Sequence, residues 1–146
     1  MQSPSSSYSG VITKFSQKLA RGEPLPIFGD GEQTRDFVYV DDVVRANVLA
    51  MEKALTGPFN VGTGIETSVN GIFDEMKGIL GSDMRRRHAP AKSGEVRRSC
   101  LCADKIAKAA GWRPQVKFAD GLRKTVEWFR DRETRKSEVG SRNPEV

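Results

Sequence analysis

The apolar residues of this chain recur at the spacing of amphipathic helices, and the stretches between the helices leave room only for short strands. The clearest helix starts at Ser68, a residue type that caps helix N-termini, and stops at Gly81, which suits a left-handed C-cap. Its apolar side chains fall on one side: Val69, Ile72, Phe73, Met76, Ile79 and Leu80. This pattern predicts helices packed around a few short strands.

The same periodicity predicts further helices around residues 11–19, 41–55, 106–110 and 122–129. Short strands are predicted at residues 26–28, 35–40 and 59–61. In the helix that begins at Asp41 and Asp42, the predicted buried stripe is Val44, Val48, Met51 and Leu55. The order of elements predicts an α/β fold class, a small mixed helix-and-short-strand domain with too few strands for a full doubly wound sheet.

The length of 146 residues suits one domain. Because the sequence becomes polar and aperiodic near its end, we predict a folded domain at residues 1–132 and a flexible tail at residues 133–146. No apolar run reaches the roughly 18 residues that a membrane helix needs, so no membrane partner is predicted. The two cysteines, Cys100 and Cys102, are poorly spaced for a mutual disulfide, which favours a cytoplasmic location.

The positive charge of the chain is concentrated in one segment. The net charge is +5, and residues 85–98 hold six Lys and Arg against Glu95 alone, so the rest of the chain is neutral. A nucleic-acid binder usually has a wider basic face with aromatic residues between the charges. The segment is more typical of a site for a small polyanion, with a solvated charged loop as the alternative, and no nucleic-acid partner is predicted.

Two glycine pairs, at residues 29–31 and 62–64, have the first half of a dinucleotide-binding loop. Thr34 and Thr67 occupy the position of the third glycine, which permits close packing of helix and strand in such loops. We therefore interpret both pairs as tight turns rather than as cofactor loops.

The chain offers little for catalysis or metal binding. Its single histidine, His88, lies among arginines, and with Cys100 and Cys102 it provides at most three zinc ligands without the usual paired spacing. The adjacent carboxylates Asp41 and Asp42 suit a helix start better than acid–base catalysis. No catalytic residue and no metal site are predicted.

Anion binding is better supported. Arg35 stands at the head of a predicted strand, where its guanidinium could grip a phosphate, and Gly10 and Val11 open a helix whose amides attract phosphate. Both must lie near residues 92–98 for one site to form. The alternative for the arginine is a surface ion pair with Asp30, Glu32 or Asp36.

Residues 22–43 read GEPLPIFGDGEQTRDFVYVDDV, and three shorter segments follow, FNVGTG at 59–64, SGEVRRS at 93–99 and GW at 111–112. Together they resemble the substrate-binding portion of NAD-dependent sugar-nucleotide epimerases and dehydratases, which are extended short-chain dehydrogenase/reductases, with the UDP-glucose 4-epimerases as the nearest branch. The resemblance covers nearly the whole chain, from about residue 2 to residue 132.

Members of this family begin with a Rossmann domain that binds NAD and carries a catalytic Tyr-x-x-x-Lys. Here Ile12 and Val43 stand four residues after the only tyrosines, Tyr8 and Tyr39. The resemblance therefore implies a truncated C-terminal portion that is inactive alone, without the NAD site, and with no cofactor expected bound. Its implied partners are a UDP-sugar and the missing Rossmann domain, and exposed apolar surface also makes a homo-oligomer possible.

The resemblance also assigns roles to single residues. Pro26 and Phe28 match the positions whose main chain meets uracil, and Arg35 matches the arginine that grips the diphosphate. Gly10 and Val11 match the helix start that meets phosphate oxygens.

Three further matches lie in the basic segment (residues 85–98) or directly after it. Glu95 matches the acid that holds the ribose hydroxyls, and Lys92 stands where the family often has an arginine. Ser99 lies near the position that limits the sugar pocket, and its small side chain would admit N-acetylated sugars.

The function that the resemblance implies is UDP-hexose binding within an NAD-dependent 4-epimerase, where NAD takes hydride from the sugar and returns it to the other face. Gripping the nucleotide positions the sugar. The alternatives are a portion of a related dehydratase or decarboxylase and a non-catalytic, self-associating binding module.

Overall fold

Helices dominate the computed structural model of the chain, which describes residues 10–20, 23–81 and 85–140. Within those residues there are five helices and four strands of three residues each. In chain order they are α1 (Val11–Ala20), β1 (Pro26–Phe28), β2 (Thr34–Asp36), α2 (Val40–Glu52), β3 (Glu66–Ser68), α3 (Val69–Leu80), β4 (Arg87–Ala89), α4 (Asp104–Ala110) and α5 (Phe118–Gly140). The predicted α/β class of mixed helices and short strands is confirmed.

The strands form two separate pairs. β1 lies parallel to β4, with Ile27 opposite His88, and β2 lies antiparallel to β3, with Arg35 opposite Thr67. The predicted strand at residues 35–40 is wrong beyond Asp36, because no further strand of the described ranges pairs with it and the helix α2 already begins at Val40. The predicted strand at residues 59–61 is also absent from the described part of the chain.

Two apolar clusters form the core. The larger lies between α1, β1, α3 and α5 and consists of Phe15, Leu25, Ile27, Ile72, Phe73, Met76, Leu122 and Val126. The smaller joins α2 to α4 through Ala46, Ile106, Ala110 and Trp112. The predicted ends of α3 are confirmed, since the Ser68 hydroxyl accepts a hydrogen bond from the Gly71 amide and Gly81 is left-handed.

The predicted buried stripe of α2 is wrong for three of its four residues, while Leu55 is half-buried and packs against the smaller cluster. Val44, Val48 and Met51 are 53%, 44% and 79% exposed, and α2 instead buries Asp42 and Ala46. Periodicity shows that a helix has an apolar side but not which neighbour covers it. The exposed side, which we name the α2 apolar stripe, consists of Val40, Val44, Val48 and Met51.

Asp42 ties the start of α2 to the segment that follows α4. Its side chain is fully buried and accepts hydrogen bonds from the amides of Gln115 and Val116, at 3.2 and 3.1 Å, and from Arg45. Its carbonyl accepts one from the indole of Trp112 at 2.9 Å. Burial acts to raise the pKa of Asp42, but the hydrogen bonds from Arg45 and the two amides outweigh it and lower this pKa.

The last helix continues past the predicted domain boundary at residue 132 and ends at Gly140. Arginine, lysine and glutamate favour helix without any apolar pattern, which explains why periodicity missed these turns. Residues 141–146 of the predicted tail, and residues 1–9 of the predicted domain, lie outside the described residues, and the flexibility of the tail stays a prediction. In the described ranges, none of the helices is both long and apolar enough to cross a bilayer.

Candidate functional site

One side of β1 borders a cleft of about 670 Å³. β1 pairs with β4 along one edge, and Ile27, the central residue of β1, is fully buried. Pro26 and Phe28 line the cavity, as expected from the alternation of residues along a strand. Pro26 and Phe28 therefore lie on the cavity side of β1.

Seven of the eight site residues predicted from the sequence line this one cavity. They come from α1, β1, β2 and the basic segment, and they are Gly10, Val11, Pro26, Phe28, Arg35, Lys92 and Glu95. The eighth, Ser99, is not among the lining residues, and its amide donates to the carbonyl of Thr34 at 3.2 Å. The fold thus brings together residues that lie up to 85 positions apart in the chain (from 10 to 95).

Arg35 is held by its own strand rather than by an acid. Its Nη1 donates to the carbonyl of Thr34 at 2.7 Å. The three acids considered as ion-pair partners, Asp30, Glu32 and Asp36, take hydrogen bonds from other groups. Among the described residues Arg35 forms no ion pair, so most of its guanidinium donors remain available to a ligand.

The neighbouring Asp36 is enclosed by the glycine pair at residues 62–64. Its carboxylate accepts hydrogen bonds from the amides of Thr63 and Gly64, both at 2.9 Å, and from that of Leu101 at 3.3 Å. A side chain at Gly62 would place its Cβ 2.7 Å from this carboxylate, so the position requires glycine. Burial acts to raise the pKa of Asp36, but the hydrogen bonds outweigh it and lower this pKa.

Two consecutive arginines anchor the basic segment on opposite sides. Arg97 grips Asp30 through two bonds of 2.7 and 2.8 Å, and Arg98 grips Glu66 through bonds of 3.1 and 2.6 Å. The carbonyl of Arg97 also accepts from the Thr34 amide at 2.9 Å. Both arginines therefore serve the fold, and they hold in place the residues before them that line the cavity.

These ion pairs predict a pH dependence. Hydrogen bonds from Arg97 and Arg98 lower the pKa of Asp30 and of Glu66 to about 2 each, from ordinary values of 3.8 and 4.5. Because the folded-state pKa values are lowered, the stabilisation is complete above about pH 5 and is lost as the pH falls toward 2.

We expect the double variant Asp30→Asn/Glu66→Gln to have a lower Tm than wild type at pH 7. The difference in Tm between the two proteins should shrink between pH 5 and pH 2, as measured by thermal unfolding. A difference that stays constant over this range would contradict the anchoring role of the two ion pairs.

Lys92 and Glu95 sit at the cavity rim with defined neighbours. The Lys92 ammonium lies 4.1 Å from the centre of the Phe28 ring, a cation–π contact. Gln33 is 7% exposed. Its side-chain Nε2 donates to the carbonyl of Phe28 at 3.0 Å and to the Glu95 carboxylate at 3.4 Å. Gln33 thus joins the strand edge to the acid.

Eight lining residues of the cavity were not predicted as site residues from the sequence. Three of them, Lys14, Gln33 and Phe37, lie at regular spacings from predicted ones. Gln33 and Phe37 flank Arg35 at steps of two, so the alternation of an extended segment places all three on one side. Lys14 follows Gly10 by four residues, about one helical turn. Both spacings are visible in the sequence and could have been used.

The single histidine is part of the strand pairing. His88 lies on β4, and its Nδ1 is 2.8 Å from the carbonyl of Gly29. Cys100 and Cys102 are exposed thiols. The described residues contain no cluster of three or more His, Cys, Asp or Glu side chains that could hold a metal ion.

Comparison with known proteins places this geometry in a family. Residues 2–62 match the model of the NAD dependent epimerase/dehydratase family. The UDP-glucose 4-epimerase of Mycolicibacterium smegmatis is 44% identical over 85% of this chain and 40% of its own length. Further matched relatives include other nucleotide-sugar epimerases, a decarboxylase and dehydratases.

Solved structures agree with this. The crystal structure of the Thermotoga maritima UDP-glucose 4-epimerase with UDP-glucose matches with a TM-score of 0.84 and 47% identity, over 90% of this chain and 42% of that one. The UDP-glucose 4-epimerase of Thermus thermophilus in complex with NAD matches with a TM-score of 0.76 and 34% identity, over 88% and 43%. The chain spans about two fifths of the length of these relatives, and it belongs to the NAD-dependent epimerase/dehydratase family.

Proposed function

We propose that the cavity binds the nucleotide of a UDP-sugar and that this chain is the nucleotide-sugar-binding portion, residues 1–132, of a UDP-glucose 4-epimerase-like enzyme. The observation that carries the proposal is the convergence of seven residues from four parts of the chain on one cavity. The likeness to an epimerase whose structure contains UDP-glucose supports the same conclusion.

Each wall of the cavity has a chemical role in this proposal. Arg35 takes the diphosphate through its free guanidinium donors, and the first turn of α1 faces the same anion with its amides. The cavity-side main chain of Pro26 and Phe28 meets the uracil ring. The carboxylate of Glu95, steadied by Gln33, accepts hydrogen bonds from the ribose hydroxyls.

Lys92 is a second cation that could bind a phosphate of the nucleotide. Its ammonium rests over the Phe28 ring and can turn from there to a phosphate oxygen, because lysine carries a point charge on a flexible stem. Ser99 lies outside the nucleotide cavity, and its influence on the sugar stays a prediction.

In the reaction, this chain binds the nucleotide and thereby orients the sugar. The chain has no Tyr-x-x-x-Lys. The glycine pair at residues 62–64 directs the amides of Thr63 and Gly64 to Asp36, which supports its interpretation as a tight turn rather than a pyrophosphate loop. The energy of gripping the nucleotide positions a sugar for groups that another part of the enzyme supplies.

The α2 apolar stripe supports the proposal that a dinucleotide-binding domain is that other part. Val40 belongs to both the stripe and a groove that also contains Phe37, and Phe37 lines the nucleotide cavity. A domain seated on the stripe would therefore reach the cavity rim. The unmatched three fifths of the relatives are large enough for such a domain.

A second copy of the chain is the competing occupant of the stripe, and light scattering separates the two. If the wild-type chain is a dimer that Val44→Glu converts to a monomer, the stripe belongs to a second copy. A monomeric wild type supports the dinucleotide-binding domain.

Calorimetry with UDP, UDP-glucose and free glucose tests the proposed function. We expect UDP and UDP-glucose to bind with similar affinity and glucose to give no heat, because every proposed contact is to the nucleotide. Circular dichroism shows whether the chain is folded. A folded chain that gives no heat with millimolar UDP or UDP-glucose would overturn the proposal.

A further inference from the structure

We propose that Lys14 is an additional phosphate-binding residue of the cavity. The inference rests on the proposed function and extends it to a residue that neither the sequence motifs nor the resemblance selected. Lys14 lies in the middle of α1, is half-buried, and lines the same cavity as Arg35 and Lys92.

The position of Lys14 follows from the helix. Gly10 and Val11 open α1 at the cavity, and Lys14 lies one turn further along the same wall. A lysine at this place adds a full positive charge to the side of the cavity that already holds the amides and the positive end of the helix dipole. An anion at the start of α1 would therefore lie within reach of a mobile ammonium.

The charges around the cavity show which cations are left for a ligand. The lining contains Lys14, Lys18, Arg35 and Lys92, opposed by Glu23 and Glu95. Lys18 is neutralised by Glu23 at 3.4 Å. Among the described residues, the Lys14 side chain forms no ion pair and no hydrogen bond. Three cations therefore face one acid, and that acid already accepts a hydrogen bond from Gln33.

This excess of positive charge fits a diphosphate. A diphosphate carries two or more negative charges spread over two phosphorus centres, which is more than one guanidinium can satisfy. Lysine suits the second centre because its ammonium is compact and its four-carbon stem adapts to the ligand. Uridine has no charge, so Lys14 should distinguish ligands by their phosphates.

The test compares Lys14→Gln with wild type in calorimetric titrations of uridine, UMP and UDP. We expect the variant to bind UDP about five- to tenfold more weakly, because it loses one charge-assisted hydrogen bond. Its affinity for uridine should equal that of wild type. Its affinity for UDP should also fall less steeply between low and high salt. Lys108→Gln, which removes the same charge from an exposed site on α4 outside the cavity, should leave all three affinities unchanged.

The outcomes separate this inference from the proposed function. If wild type binds UDP and Lys14→Gln binds it equally well, the role of Lys14 is overturned and the proposed function stands. If the variant loses uridine and UDP affinity by the same factor, Lys14 acts on the base or on the fold, which also overturns the inference. If wild type is folded and binds neither ligand, the proposed function itself fails.

Discussion

Replacing Asp42 with asparagine will lower the free energy of unfolding by about 3 kcal/mol. The carboxylate is fully buried and serves three donors at once, the amides of Gln115 and Val116 and the guanidinium of Arg45. Asparagine keeps the shape but turns one oxygen into a donor, so an amide loses its acceptor and Arg45 loses its counter-charge. Urea denaturation followed by tryptophan fluorescence measures the change, since Trp112 bonds to the carbonyl of the same residue.

Asp41→Asn is the matched control, because Asp41 precedes Asp42 in the first turn of α2 and is exposed. It loses only its favourable interaction with the helix dipole, about 0.5 kcal/mol. Equal losses of stability in the two variants would contradict the role assigned to Asp42, because they would show that charge at the helix start, and not the buried hydrogen bonds, matters.

Replacing Arg35 with alanine will weaken UDP binding about 30-fold or more, the largest effect expected from any single change in the cavity. Its donors are free of acidic partners among the described residues, and the side chain lines the cavity between Gln33 and Phe37. Arg35→Lys keeps the charge but loses the planar fork, and we expect an intermediate loss of about tenfold. Calorimetric titration with UDP measures both.

Arg123→Gln provides the control for charge, since Arg123 is exposed on α5 and is absent from the cavity lining. It should bind UDP as wild type does. Thermal unfolding should give similar midpoints for the three arginine variants. If Arg35→Ala keeps wild-type affinity for UDP, the anion lies elsewhere, and the proposed arrangement of the nucleotide is wrong.

Much of the local structure could be predicted from sequence patterns. The helix α3 was predicted at both ends, because Ser68 and Gly81 act on the backbone directly next to them. The strand at residues 35–40 was overextended, since its length depends on a partner strand that local residues do not reveal. Val44, Val48 and Met51 of α2 were assigned to the core because apolar residues at helical spacing look the same whether the chain or another surface covers them.

Most residues of the candidate site were predicted from the family resemblance and not from local sequence patterns. The resemblance selected residues from distant segments, and seven of them meet in one cavity, since a family motif carries information about tertiary contacts that spacing alone lacks. Gln33 was missed because its role depends on two partners, the Phe28 carbonyl and Glu95, that lie apart from it in the chain. Ser99 was selected because it lies near the position that limits the sugar pocket. Its amide bonds to Thr34, and its role toward the sugar stays a prediction.

The anchoring of the basic segment has a consequence for how the site can evolve. Arg97 and Arg98 hold acids on opposite sides because successive side chains of an extended backbone alternate. The Arg97 carbonyl and the Ser99 amide, which both bond to Thr34, form a clasp that fixes this register. Residues 90–96 are all exposed and lie upstream of that clasp. Changes of loop length there can reshape the entrance for new ligands while the clasp keeps its register.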